Sequence, residues 1–195
     1  MNVVIDYGAG NIRSMCDALT RAGAEYEVTA DTGLISKADR VIIPGVGEAS
    51  CAMHRLNELG LSDIIRSLKV PVLGVCIGMQ LLCRKSEEGN VDCLGIFPTE
   101  VRKLISTDQH IKIPHMGWDT IGNLKGPLFD GLDNEAWVYY VHSYAVDLCK
   151  ATIAETNYCT TFSGALQHEN FYGVQFHPEK SADAGARIIT NFLKL

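Results

Sequence analysis

No stretch of the 195 residues approaches the roughly 18 uncharged apolar positions that a membrane-spanning helix requires. The short apolar run at the start, Met1 to Asp6, has no basic segment behind it and does not read as a secretion signal. A cytoplasmic location is the resulting expectation, with no membrane partner. Basic charge is also scarce: 17 Lys and Arg against 23 Asp and Glu leave a net charge of -6. That balance disfavours a broad electrostatic grip on nucleic acid. Seven cysteines are present, an odd number that cannot all pair, and no two are spaced as Cys-x-x-Cys. The sequence therefore carries no zinc or dithiol signature, and the thiols are expected to be reduced and mostly buried. Linkers, repeats and low-complexity tracts are missing as well. With 47% apolar and 21% charged residues, the expectation is one folded domain over residues 1–195.

What is present reads first as alternating strands and helices. Val3-Val4-Ile5, the Val41-Ile42-Ile43 part of an Arg40-Val41-Ile42-Ile43 strand, and Pro71 to Val75 are short apolar runs, the pattern of strands buried on both faces. Tyr26-Glu27-Val28 is a further strand. Ile12, Met15, Ala18, Leu19 and Ala22 recur at helical spacing after a Gly8-Ala9-Gly10-Asn11 turn, and Gly23 stops them. Helical patterns also surround Leu34-Ile35 and run through Ala49, Met53, Leu56, Leu59 and then Ile64, Ile65 and Leu68. The later half is richer in strand signals. Ile96–Leu104 and Ile111–Ile113 suggest a hairpin, and Trp137–Val141, Thr152–Ala154, Ser163–Leu166 and Phe171–Phe176 follow. A closing helix is expected to use Ala186, Ile188, Ile189, Phe192 and Leu193 as its apolar face. The fold class is α/β, with a central mostly parallel sheet flanked by helices and added antiparallel strands in the second half.

Three segments concentrate the chemistry. In Gly74-Val75-Cys76-Ile77-Gly78, small residues flank a cysteine where a strand runs straight into a helix. Such a turn brings the chain back upon itself, which is the mechanical logic of a nucleophile elbow with sulfur in place of oxygen. A buried thiol beside a tight turn is the bland alternative. In Gln175-Phe176-His177-Pro178-Glu179, an extended backbone would point His177 and Glu179 to one side, and Pro178 discourages helix at His177. A carboxylate holding one imidazole nitrogen frees the other to serve Cys76 as base; a surface ion pair is the plain alternative. None of the other five histidines is followed by Pro-Glu. Finally, the Pro44-Gly45-Val46-Gly47 loop should share the carboxyl edge of the sheet with Cys76. Backbone amides of Val46 and Ile77 are suited to bind an oxyanion there. The three together indicate acyl transfer through a thioester, open to a peptidase, an amidase or a glutaminase.

At the level of motif, the chain resembles the class I (triad) glutamine amidotransferases over essentially its whole length. The resemblance is carried by Asp6-Tyr7-Gly8-Ala9-Gly10-Asn11, Pro44 to Gly47, Gly74 to Gln80, Ser86-Glu87-Glu88, Pro114-His115-Met116-Gly117-Trp118, Val141-His142-Ser143-Tyr144 and Gly173 to Ser181. The opening segment, the PHMGW tract and HPEKS are similar to the subfamily of glutaminase subunits that serve imidazole glycerol phosphate synthase. The resemblance implies a flavodoxin-like fold without cofactor or metal. It makes Cys76 the nucleophile, His177 the proton carrier and Glu179 its orienter. It places Gly47, Gln80, Ser143 and Tyr144 around the amino-acid part of glutamine. It also implies a heterodimer with a (β/α)8-barrel cyclase. That partner would receive ammonia through a protected route and release imidazole glycerol phosphate and AICAR. Asn11, Trp118, Tyr140 and Lys180 fall in segments expected at that interface or channel. In the subfamily the oxyanion loop can be unready without partner and nucleotide, so the lone subunit is expected to be a poor glutaminase.

Ile77 stands where Leu is commoner in the family, and Asp119 where Asn is commoner. The first keeps the backbone donor; the second adds a charge near the expected interface. The competing readings are a glutaminase subunit of another synthase, a cysteine peptidase-like hydrolase of related fold, and a regulatory binding subunit without activity. The opening segment and PHMGW speak against the first. An intact Cys76, His177 and Glu179 speaks against the last, because binding alone does not require all three.

Overall fold

The structure is a computed structural model that describes residues 1–8 and 12–195. The Gly8–Asn11 turn and Asn11 itself therefore fall wholly or partly outside the described residues. The strands are β1 (Asn2–Ile5), β2 (Tyr26–Thr29), β3 (Arg40–Ile43), β4 (Val72–Val75), β5 (Cys83–Ser86), β6 (Val91–Asp92), β7 (Phe97–Lys103), β8 (His115–Ile121), β9 (Ala136–His142), β10 (Tyr144–Val146), β11 (Thr152–Asn157), β12 (Thr161–His168) and β13 (Phe171–Val174). The helices are α1 (Ile12–Arg21), α2 (Thr32–Ile35), α3 (Ala49–Glu58), α4 (Leu61–Ser67), α5 (Ile77–Leu82) and α6 (Ala182–Phe192).

A seven-stranded sheet in the order β11-β12-β13-β4-β3-β1-β2 forms the centre. The pairs from β2 to β13 are parallel, and β12 and β11 extend the sheet antiparallel. Val3, Val4, Ile5, Val41, Ile42, Ile43, Val72 and Leu73 are completely buried, as expected of strands covered on both faces. At the edge, β2 turns Glu27 and Val28 to solvent. α3 buries Ala49, Ala52, Met53 and Leu56, one stripe at helical spacing. α2 is started by Asp31, whose carboxylate accepts the Leu34 N–H at 2.9 Å. A smaller sheet, β10-β7-β5-β6, and the β8–β9 ribbon sit beside the main one.

Ile111–Ile113 is not a strand, and Phe97–Lys103 does not form a hairpin with it. β7 pairs instead with β10 and β5. Around Ile111 the backbone is used locally: its N–H bonds the Asp108 carbonyl at 3.2 Å, and the Lys112 carbonyl accepts from the Tyr158 hydroxyl at 2.7 Å. Pro114 then brings no N–H to a ladder. The strand begins at His115, in the PHMGW tract that sequence patterning left without a structure. On α6, Ala186 is exposed and Gly185 takes the buried position, because the helix packs there against the Pro178 carbonyl.

Candidate active site

Cys76 joins β4 to α5 with φ 53° and ψ -110°, a backbone region that a residue with a side chain occupies only under strain. Its N–H is fixed to the Val174 carbonyl of β13 at 2.8 Å. The glycines on either side answer a steric demand. A Cβ on Gly74 would sit 2.6 Å from the Gly78 carbonyl oxygen, and one on Gly78 would fall inside the Ile43 carbonyl. This is the elbow geometry expected from the sequence, with sulfur at its apex. Ile77 begins the helix, so its N–H has no partner within α5.

His177 follows β13, and its N–H bonds the Tyr139 carbonyl at 2.9 Å. Its Nδ1 meets Glu179 Oε1 at 2.8 Å, with ring and carboxylate both almost fully buried. The route to this pairing differs from the extended segment expected. His177 is extended (φ -100°, ψ 95°), but Pro178–Lys180 is a single 3-10 turn. Ser181 locks that turn by donating to the His177 carbonyl at 2.6 Å while accepting the Tyr139 N–H at 2.9 Å. His177 Nε2 is buried with no hydrogen bond among the described residues. Burial alone would lower the affinity of the ring for a proton. The Cys76 sulfur and the Glu179 carboxylate outweigh it, and the His177 pKa is pushed up to about 10. A proton held at Nε2 between sulfur and ring is what thiolate–imidazolium chemistry needs.

Beside the sulfur lies a cavity of about 210 Å³ whose walls include Val46, Gly47, Cys76, Ile77, Gln80, Glu88, Ser143, Tyr144 and His177. The structure thus brings together Cys76, His177, both backbone candidates for the oxyanion and all four candidate substrate residues. The elbow and the loop after β3 touch directly: a Cβ on Gly45 would lie 2.7 Å from the Gly78 nitrogen. Gly47, at φ 107°, takes a conformation that favours glycine. Gln80 is buried in α5; its Nε2 donates to the Tyr144 carbonyl at 3.1 Å and to Gln175 Oε1 at 3.0 Å. Two acceptors fix the amide, and Gln80 Oε1 remains buried without a partner among the described residues.

Two members of the cavity region had no role assigned from sequence. Gln175, fully buried, donates from Nε2 toward the Cys76 sulfur at 3.7 Å. Its signal is its place two residues before His177. Glu88 accepts the Ala49 N–H at 2.9 Å and puts a carboxylate on the cavity wall. Burial raises its pKa, the Ala49 N–H pulls it back, and Glu48 adds to the rise. The signal there is Ser86-Glu87-Glu88, a segment that carries the family resemblance without a role for its carboxylates.

The four expected interface residues separate. Trp118 is about half exposed and meets the Tyr139 ring edge-on at 6.0 Å, and the exposed Lys180 places Nζ 6.0 Å from the same ring. Tyr140 is the correction. It is fully buried, with its hydroxyl 2.6 Å from that of Thr156, and offers no side-chain surface to a partner. Trp118 lies opposite Tyr139 in the β8–β9 register, so alternation puts Tyr139 with Trp118 and Tyr140 on the inner face. Asn11 is outside the described residues. Among the described residues no group of three or more His, Cys, Asp or Glu is placed to hold a metal ion. No helix among them is long and apolar enough to cross a membrane.

The family described as glutamine amidotransferase class-I matches residues 3–195. A Bacteroides fragilis protein named imidazole glycerol phosphate synthase subunit HisH is 55% identical over 192 residues, covering 98% of each chain. An Escherichia coli protein of the same name is 47% identical over 198 aligned positions, covering all of both. Among solved structures, a Thermoplasma acidophilum protein described as a putative GMP synthase subunit superposes with a TM-score of 0.77 at 19% identity, over 100% of this chain and 92% of that one. A glutamine amidotransferase from Thermotoga maritima gives a TM-score of 0.65 at 17% identity, over 99% and 82%.

Proposed function

The chain belongs to the class-I glutamine amidotransferase family, and from that premise we propose that Cys76, His177 and Glu179 carry its reaction. The protein has the flavodoxin-like fold of that class and is a glutaminase subunit of the imidazole glycerol phosphate synthase type. It hydrolyses glutamine to glutamate and ammonia for histidine biosynthesis. One observation carries the assignment of residues. The strained elbow sulfur shares the wall of an amino-acid-sized cavity with a buried imidazole whose far nitrogen is held by Glu179.

The Cys76 thiolate attacks the side-chain amide carbon, and the carbonyl electrons move onto oxygen. Backbone amides of Val46 and Ile77 receive that oxyanion. The proton on His177 Nε2 passes to the amide nitrogen, and collapse expels ammonia and leaves a γ-glutamyl thioester. Water then gives a proton to the neutral His177 and attacks the thioester. Collapse releases glutamate and restores thiolate and imidazolium, the product acid losing its proton to solvent. Glu179 keeps Nδ1–H as donor throughout, so Nε2 always faces the reacting atoms. Glu88 and Gln80 Oε1 accept from the glutamine ammonium. Gly47, Ser143 and Tyr144 complete the pocket around the amino-acid end.

The partner in this reading is a (β/α)8-barrel cyclase docked on Trp118, Tyr139 and Lys180, where an exposed face of the β8–β9 ribbon lies next to the His177 turn. Ammonia passed directly across that contact avoids protonation to ammonium, which lacks the nucleophilic lone pair. The reading takes residues 1–195 as one domain, supported by a family match that runs from residue 3 to residue 195. It places the chain in the cytoplasm, supported by seven free thiols, with Cys83 and Cys93 held protonated by burial. The test is synthase activity in the assembled complex. Cys76→Ala should lose glutamine-dependent product formation by about a thousandfold or more, and keep synthesis from supplied ammonia. Glutamine-dependent turnover retained in Cys76→Ala would overturn the assignment.

A further inference from the structure

Running from the pocket wall into the β8–β9 ribbon, three side chains are joined end to end. Asp119 Oδ2 lies 3.2 Å from His115 Nε2, His115 Nδ1 lies 3.2 Å from His142 Nε2, and His142 Nδ1 lies 2.8 Å from the Tyr144 carbonyl oxygen. Both rings are buried, and His115 and His142 sit directly opposite each other in the strand register. We propose that Asp119 and His115 are positioning residues for glutamine binding, acting through His142 as a chain that holds one extra proton and fixes the Val141–Tyr144 turn. The proposal deepens the glutaminase reading above and rests on it for the ligand.

Counting donors fixes the proton content. A carbonyl only accepts, so His142 Nδ1 carries a hydrogen. The contact between the rings needs a second hydrogen, on either nitrogen. A carboxylate also only accepts, so the contact with Asp119 needs a third. Two neutral imidazoles supply two hydrogens; three contacts need three. The chain is thus complete only with one hydrogen more than two neutral imidazoles carry. With Asp119 as the carboxylate, that hydrogen makes one ring an imidazolium. Burial pulls both rings below the ordinary value, His142 to about 3, where His115 and His177 add repulsion and only the Tyr144 carbonyl works the other way. At His115 burial is again the largest influence, but Asp119 opposes it by charge and by hydrogen bond. His115 also lies stacked between the rings of Tyr158 and Tyr140, at 3.9 and 4.6 Å, faces that favour a cation. Of the two rings, His115 is therefore the one on which the extra proton rests when the chain holds it. The titratable groups facing the two rings are Asp119 of β8, Tyr140 of β9, Tyr158 after β11 and His177 after β13.

The far end of the chain touches the site. The Tyr144 carbonyl is held jointly by His142 and by Gln80. The Val141 carbonyl lies 3.9 Å from the Cys76 sulfur, and His142, Ser143 and Tyr144 line the cavity. Loss of the proton from His115 sets two lone pairs against each other at Asp119, and the turn that cups glutamine loses its anchor. In Asp119→Asn the side-chain amide donates to His115 Nε2, and all three contacts close with neutral rings. The need for the proton is then gone.

Imidazole nitrogen NMR on the Cys76→Ala chain reads the protonation without turnover, so its failure is separate from failure of the glutaminase reading. At about pH 5, His115 should show both nitrogens protonated, and in Asp119→Asn only one. In the assembled parent enzyme, KM for glutamine should rise about fivefold as pH climbs through the titration of His115, the loss of one net hydrogen bond, with kcat changing less. In Asp119→Asn that rise should vanish, and Asp119→Ala should have a raised KM at every pH. A neutral His115 at about pH 5, or superimposable KM–pH profiles for parent and Asp119→Asn, would overturn the proposal.

Discussion

Gly74→Ala adds one methyl group in β4, two residues before the Cys76 elbow. The new Cβ would meet the Gly78 carbonyl oxygen at 2.6 Å and the Met79 nitrogen at 2.7 Å, both backbone atoms. Ordinary contact begins near 3.4 Å, so the start of α5 must retreat by roughly 0.8 Å. No flexible side chain is available to yield in its place. Overpacking of this kind costs about 1–3 kcal/mol of stability. The larger effect is on the reaction, because Cys76 sits between the two segments forced apart. A misplacement near 1 Å at reacting atoms costs about a hundredfold in rate. The assay compares glutamine-dependent with ammonia-dependent synthesis in the assembled enzyme, alongside the urea unfolding midpoint. Glutamine-dependent kcat/KM should fall about a hundredfold, with ammonia-dependent synthesis unchanged. Gly122→Ala, where nothing lies within 4 Å of the added atom, is the control and should behave like the parent. If Gly74→Ala kept glutamine-dependent activity within about threefold and the parent's unfolding midpoint, the argument from close approach at the elbow would be wrong.

Glu179→Gln keeps an oxygen able to accept from His177 Nδ1 but removes the charge that helps hold a proton on the ring. kcat for glutamine should fall by about two to four orders of magnitude while KM stays within about twofold, read by steady-state kinetics. Glu88 should bind the substrate ammonium only as a carboxylate. Because burial raises its pKa, KM for glutamine should rise on acidification earlier than an ordinary carboxylate would allow. In Glu88→Gln, KM should be high and flat across the same acid range, a result that a pH titration of KM checks directly.

The parallel half of the fold was legible because its strands announce themselves. Val3 to Ile5, Val41 to Ile43 and Val72 to Val75 are covered on both faces and contain no polar interruption. The ribbon was harder. His115 to Ile121 alternates buried and exposed positions with His, Gly, Trp and Asp among them, so apolar content alone does not reveal a strand. Ile111–Ile113 shows the reverse failure, a β-prone triplet whose backbone partners are taken by a turn and a tyrosine hydroxyl. In the site, glycines around Cys76 and the Pro-Glu pair after His177 were readable because the chemistry restricts those residue types. Glu88 and Gln175 were not, since a carboxylate on a turn and an amide at a strand end look ordinary until folding sets one on the cavity wall and the other beside the sulfur. Tyr139 and Tyr140 are separable only once the β8–β9 register is known. The Asp119–His115–His142 chain likewise joins residues on two strands and has no signature along the sequence.

The most direct measurement is of the covalent intermediate. The chain, assembled with the proposed cyclase partner and mixed with glutamine, is quenched in acid within one turnover, digested and weighed peptide by peptide. A γ-glutamyl group should appear on the peptide containing Cys76, should be removed by hydroxylamine, and should be absent from Cys76→Ala. Steady release of ammonia with no acyl group on Cys76, or with the group on any of the other six cysteines, would contradict the account.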